Sequence, residues 1–213
     1  MNLFSLLRSI LFKSSVNPAL IEETVSVGSE APWELEQYEH PYEIPGQRDV
    51  RAIYGHCGES KISKKWKKKN LVTVKGLPGH FNRWHKLNKP GDCRLYEVHY
   101  KMVPALIEAL SRCDDYGVIG EIDRIGVFKW RKMRTSQRLS MHSWAIALDI
   151  NPQNNKLRRF KRGEAPEPFS DEWRATWPSG LSESIARAFE EAGFLWGGRW
   201  ETTPDPMHFQ LTK

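Results

Sequence analysis

Ser140-Met-His142-Ser-Trp-Ala-Ile-Ala-Leu-Asp149 is the stretch on which the fold turns. In Ile146-Ala147-Leu148-Asp149-Ile150 the bulky apolar side chains alternate with Ala147 and Asp149, the period of a strand with one packed face and one less crowded face. Asp149 therefore projects beside small neighbours, with room for a ligand. His142 precedes Asp149 by an odd offset, which on a continuous strand would place it on the opposite face. It is expected on the loop that enters the strand.

The same alternation returns in Met207-His208-Phe209-Gln210-Leu211, with His208 and Gln210 on one face. Zinc prefers imidazole nitrogen and carboxylate oxygen, and a catalytic site uses three protein ligands with water in the fourth position. His142, Asp149 and His208 fit that count. Asp205 stands three residues before His208 across Pro206, which disfavours a helical Asp205. A turn there sets a second carboxylate beside the cluster, where it could act as general base on a water whose pKa a metal lowers to roughly 7.

Three separated motifs, Ser140-x-His142-x-x-x-x-Ala147-x-Asp149, Gly193-Phe194-x-Trp196-Gly197-Gly198-x-Trp200 and Asp205-x-Met207-His208-Phe209, fall in this order. In order, spacing and residue type they resemble the zinc D-Ala-D-Ala carboxypeptidase and L-alanyl-D-glutamate peptidase family, the LAS metallopeptidases, which include phage endolysins. The resemblance covers about residues 128 to 213 well and about 48 to 127 loosely. It implies an α+β fold of the LAS or hedgehog-like type: a small antiparallel sheet flanked by helices, with a single zinc site. It also implies hydrolysis of amide bonds in peptidoglycan stem peptides at the cell envelope or periplasm, by a bacterial enzyme or a phage lysin. Carried over by position, His142, Asp149 and His208 are the ligands of one Zn2+ and Asp205 is the catalytic base. Arg131 and Arg134 occupy the neighbourhood of an Arg that handles the substrate carbonyl or carboxylate, and Ser140, Trp196 and Trp200 fall on the substrate side. One departure is Ala145, where the family usually has Gly; a methyl there narrows the site or demands a backbone adjustment.

Outside these motifs the chain reads as scaffold. Its 213 residues hold one domain, 48–213, with an extension at 1–47. The net charge of +6 suits an anionic partner without choosing among wall polymers, nucleic acid and membrane. The chain shows no sequence-reading motif, so nucleic acid is not expected as a partner, and a monomer is. Cys57, Cys93 and Cys113 form an odd set without a CxxC pair and read as free structural thiols. Residues 1–13 have helical spacing of Leu3, Leu7, Ile10 and Leu11. They are too short and charged to span a membrane and make a poor signal peptide, which leaves a docking helix, a membrane-surface contact or a degenerate export signal. Residues 14–48 are acidic and Pro-rich, as in a linker or wrapping segment.

The run Lys61-Ile-Ser-Lys-Lys-Trp66-Lys-Lys-Lys69 reads as a solvated loop or strand edge, with a phosphate-polymer contact as the functional alternative. Leu71–Val74 suggests a strand. Val103, Leu106, Ile107, Leu110 and Cys113 mark a core helix opened by Pro104. Residues 122–128 lead into a strand that delivers Arg131 and Arg134. His80 and His85, five apart with no acid beside them, do not suggest a second metal site. A polar insertion follows Asp149 and rims the cleft. Leu181, Ile185, Ala188, Phe189 and Ala192 then mark a second helix that Gly193 ends. A non-catalytic, zinc-containing module that holds an anionic polymer is the rival reading, supported by Ala145 and the lysine run.

Overall fold

The computed structural model describes residues 47–134 and 136–211. The expectations for residues 1–13 and for most of the linker lie outside the described residues. The elements in chain order are α1 (Gln47–Tyr54), α2 (Lys64–Asn70), β1 (Leu71–Leu77), β2 (Cys93–His99), α3 (Val103–Asp115), β3 (Ile125–Gly126), β4 (Ala147–Ile150), α4 (Asp171–Thr176), α5 (Glu183–Glu191), β5 (Phe194–Trp196) and β6 (His208–Leu211). The architecture is α+β, as expected. Two antiparallel sheets take the place of one: the pair β1-β2, and a four-stranded sheet in the order β3-β4-β6-β5.

The larger core lies between the four-stranded sheet and helices α3 and α5. Leu148 and Ile150 of β4 and Phe209 of β6 meet Leu106, Ile107 and Leu110 of α3 and Ile185 and Phe189 of α5, all essentially without solvent contact. The helical stripe of α5 stops as its sequence predicts, at Gly193, whose φ of 90° is a left-handed cap. Trp173 and Trp177, from the polar insertion, are buried in this core. The insertion thus packs inward as well as running alongside the residues before β6, where Arg158 and Phe160 donate their N–H groups to the carbonyls of Pro204 and Thr202.

A second, smaller core gathers Val50 and Tyr54 of α1, Trp66 of α2, and Leu139, Trp144 and Ile146. Trp144 donates its indole N–H to the Gly55 carbonyl at 2.8 Å, and Trp66 donates to that of Tyr54 at 2.8 Å. This core anchors the turn that carries His142. It also corrects the reading of the lysine run: residues 64–70 form a helix capped by the Ser63 hydroxyl, with Trp66 turned inward. The indole is therefore not a stacking platform.

Two asparagines join the halves. Asn82 receives the Ile125 N–H on its side-chain oxygen and donates to the Ile125 carbonyl, which extends the edge at β3. Asn151, just past β4, accepts the N–H groups of Asp123 and Arg124. Both adopt left-handed backbone angles, which asparagine tolerates better than most residues. The segment around His80 and His85 thus serves structure through Asn82. All three cysteines are free and buried, as expected. Among the described residues no helix is long and apolar enough to cross a membrane.

His99 is fully buried, with its ring 5.1 Å from Tyr54, 5.8 Å from Trp66 and 4.9 Å from Tyr100. Burial, aided by the nearby Lys101 charge, pushes its pKa down to about 3. An unfolded chain takes up a proton near pH 6.5 that the folded chain refuses. This contribution to stability is therefore complete above about pH 6.5 and shrinks as pH falls toward 3. Between pH 6.5 and 5 the loss is about 2 kcal/mol. His99→Phe is expected to remove this pH dependence, measured by urea unfolding at the two pH values.

Candidate metal centre

His142 sits in the 3-10 turn Met141–Trp144, directly ahead of β4, as its odd offset from Asp149 predicts. Asp149 and His208 are facing partners in the antiparallel register of β4 and β6. Strand pairing thus fixes two of the three groups, and the turn supplies the third. His142 Nε2 lies 3.2 Å from Asp149 Oδ1 and 3.3 Å from His208 Nδ1, and His208 Nδ1 is 3.4 Å from Asp149 Oδ1. Donor atoms held about 2.0–2.2 Å from a tetrahedral zinc stand about 3.3–3.6 Å apart, so this triangle has the size the ion requires.

The outer partners orient both rings. His142 Nδ1 is 2.7 Å from the Val127 carbonyl oxygen, which has no proton to give, so Nδ1 donates and Nε2 keeps its lone pair. His208 Nε2 is 3.0 Å from Gln210 Oε1 and donates there, which leaves a lone pair on Nδ1. With both rings neutral, three acceptors converge and no protein hydrogen separates them. Only a cation relieves that arrangement, either a proton or a metal. Burial acts to raise the Asp149 pKa, but where a proton takes the cation's place the hydrogen bonds it makes between the carboxylate and His142 and His208 outweigh burial and hold the carboxyl below the usual range. Burial acts against a charged His208, and the bond to Asp149 overcomes it to raise that pKa. Among the described residues this is the group of His, Cys, Asp and Glu side chains that could hold a metal ion.

Asp205 is placed by Gly197. The Asp205 N–H donates to the Gly197 carbonyl at 2.9 Å, and the His208 N–H donates to the Asp205 carbonyl at 3.0 Å. A Cβ on Gly197 would stand 2.7 Å from the Asp205 carbonyl oxygen, 3.2 Å from the His208 Cβ and 3.3 Å from the Asp205 Cβ. Only a residue without a side chain lets these backbones approach so closely. Asp205 Oδ1 is buried with no hydrogen-bond partner. Burial, with some help from the Asp149 charge, pushes the Asp205 pKa up to about 6; His208, His142 and Arg131 oppose the shift.

The remaining expected site residues separate. Arg131 is exposed, and its charge is felt at Asp205. Arg134 is exposed too. Ser140 is buried at the N-cap of the His142 turn, and its N–H and carbonyl bond to Arg131 and Ser143. Trp196, expected at the substrate, is 1 % exposed and packs on Phe169, Trp173 and Phe209. This corrects its role to core packing: alternation along β5 turns its ring inward. Trp200 stays at the site, 5.4 Å from the His208 ring, with its indole nitrogen buried and unpartnered. It also lines a cleft of about 360 Å³ together with Arg162, Glu167, Arg199, Glu201 and Pro204.

Ala145 has φ 54° and ψ 36°, a left-handed conformation that favours glycine. Its methyl is fully buried in the larger core, so the departure is met by backbone conformation and does not narrow the cleft. Gln210 and the Val127 carbonyl were not assigned a role from the sequence. For Gln210 a signal existed, since it shares a strand face with His208.

Residues 134–211 match the D-alanyl-D-alanine carboxypeptidase family. The matched segment carries His142, Asp149, Asp205 and His208, so the resemblance read from three motifs holds. This carboxypeptidase family is a peptidase family, and it is zinc-dependent. Comparison with curated proteins and with solved structures gives no match.

Proposed function

We propose that the chain is a zinc peptidase that hydrolyses amide bonds in peptidoglycan stem peptides, of the D-Ala-D-Ala carboxypeptidase or L-Ala-D-Glu endopeptidase type. The observation that carries this reading is the triangle of three lone pairs 3.2–3.4 Å apart, with a carboxylate whose Oδ1 is unpartnered on the adjoining turn. His142, Asp149 and His208 would hold the ion. A bound zinc supplies a Lewis acid for the scissile carbonyl and lowers the pKa of its water to about 7.

The chain's own groups do the rest. Asp205, with no hydrogen bond to Oδ1, is free to take a proton from the attacking water and return it to the leaving amine. Its pKa of about 6 keeps it ionised at neutral pH while leaving it a better base than an ordinary aspartate. Arg131 would steady a substrate carboxylate or the developing oxyanion, and the Trp200 indole N–H offers a donor beside His208. Arg134, also exposed, would at most assist at the rim. Such substrates place the working protein at the cell envelope.

Gln210 would fix the His208 tautomer from outside. Gln210→Ala is expected to weaken zinc binding by about 10–100-fold, read by competition with a chromophoric chelator. The function itself is tested by incubating the zinc-loaded protein with intact muropeptides and identifying products by mass spectrometry. Free D-alanine, or a new amino terminus at D-Glu, is the expected result. Binding without any fragment would replace this reading with that of a non-catalytic wall-binding module.

A further inference from the structure

Helix α2, Lys-Lys-Trp-Lys-Lys-Lys-Asn, is electrostatically unfavourable by its own sequence. Lys64 and Lys68, and Lys65 and Lys69, are like-charged neighbours at i,i+4, which destabilises a helix. Its first turn has no acidic residue and two lysines stand there, at the positive end of the helix dipole, although Lys67, Lys68 and Lys69 in the last turn suit the negative end. Surrounding structure nevertheless holds the helix. The Ser63 hydroxyl caps it, Trp66 is buried in the second core, and Asn70 donates to the Trp66 carbonyl at 2.8 Å. Lys67 alone among its lysines has a carboxylate partner among the described residues, Glu97, and it also lies 5.0 Å from the centre of the Phe128 ring. Lys64, Lys65, Lys68 and Lys69 remain exposed.

The patch adjoins the segment that carries the metal cluster. Val127 and Lys129 flank Phe128, and both bond to His142, one through its carbonyl and the other through its N–H. Lys129, Arg131 and Lys132, all exposed, continue the positive charge from there along the chain. An array of repelling cations gains stability when a polyanion covers it.

We infer that the exposed face of α2 binds a linear phosphodiester polymer of the polyol-phosphate kind, which docks the protein on the wall whose peptides it would cut. The choice of polymer rests on the proposed function and on what the helix lacks. The helix's one aromatic, Trp66, points inward, so the face offers no stacking platform for nucleic-acid bases and no apolar anchor for a lipid surface.

The test is titration of the full-length chain, as the zinc-free Asp205→Asn variant, with peptide-free poly(glycerol phosphate). The readout is independent of hydrolysis, so the docking can fail while the peptidase reading stands, and the reverse. Four lysine–phosphate contacts predict a fall in affinity of about 50-fold between 50 and 200 mM salt. Replacing Lys64, Lys65, Lys68 and Lys69 by Gln should abolish that salt dependence. It should leave the melting temperature unchanged or higher, because repulsion is relieved, so lost binding cannot be ascribed to lost fold. Lys64→Gln with Lys65→Gln should halve the slope of log affinity against log salt. Unchanged binding by the quadruple variant overturns the site. Tighter binding of duplex DNA or of anionic lipid vesicles than of the polymer overturns the assigned occupant.

Discussion

Asp205→Asn is expected to lower stem-peptide hydrolysis by about 1000-fold, the usual contribution of a general base, while making the zinc-free protein more stable at neutral pH. The two effects have one cause. Burial favours the protonated carboxyl and pushes its pKa from 3.8 to about 6. Below pH 4 both the folded and the unfolded chain hold the proton, and the group is neutral in its effect. As pH rises from about 4 to about 6 the unfolded chain gives up a proton that the folded chain still holds against a buried charge, so wild-type stability declines. The deficit levels off at about 2–3 kcal/mol above pH 7. Asparagine carries no such charge. Denaturant unfolding in the presence of a chelator at pH 3.5 and pH 7.5 measures the difference between the two proteins. It should be near zero at the first pH and clearly in favour of the variant at the second. A variant less stable than wild type at pH 7.5 would contradict the strained-carboxylate picture, whatever its activity.

His208→Ala is expected to abolish both stoichiometric zinc binding and turnover. The residue supplies one corner of the triangle and, through Gln210, links it to the sheet. Its loss leaves two donors, His142 and Asp149. The affinity should therefore fall by more than the about 10–100-fold that changes in outer partners cause. Equilibrium dialysis with zinc gives the stoichiometry, and muropeptide digestion gives the activity. The contrast with Asp205→Asn is diagnostic, because that variant should keep one equivalent of zinc. Retention of tight zinc by His208→Ala would mean that the ion is held elsewhere.

Much of the site could be read from strand period alone. The even spacing of Ala147 and Asp149, and of His208 and Gln210, named the face on which the groups meet; the odd offset of His142 named the turn. What could not be read were features that depend on partners distant in sequence. Trp66 within its lysines gives no sign of facing Tyr54 and Trp144, and so the run reads as a solvated loop or strand edge where a helix forms. Trp196 and Trp200 flank the same glycines, yet only the packing of Phe169 and Trp173 decides which ring is buried. The close approach at Gly197 likewise depends on Asp205, eight residues on, so the motif showed a pair of glycines but not the reason for them.

The coordinating atoms belong to a turn and two neighbouring strands, and His142 is 66 positions from His208. An ion there would act as a rivet between parts of the chain that meet only in the native fold, so occupancy and thermal endurance would become one quantity. At free zinc a thousandfold above its dissociation constant, the gain is about 4 kcal/mol. Scanning calorimetry with and without chelator should show the zinc-free form melting earlier. A host that withholds zinc would thereby silence the protein and shorten its life in a single act.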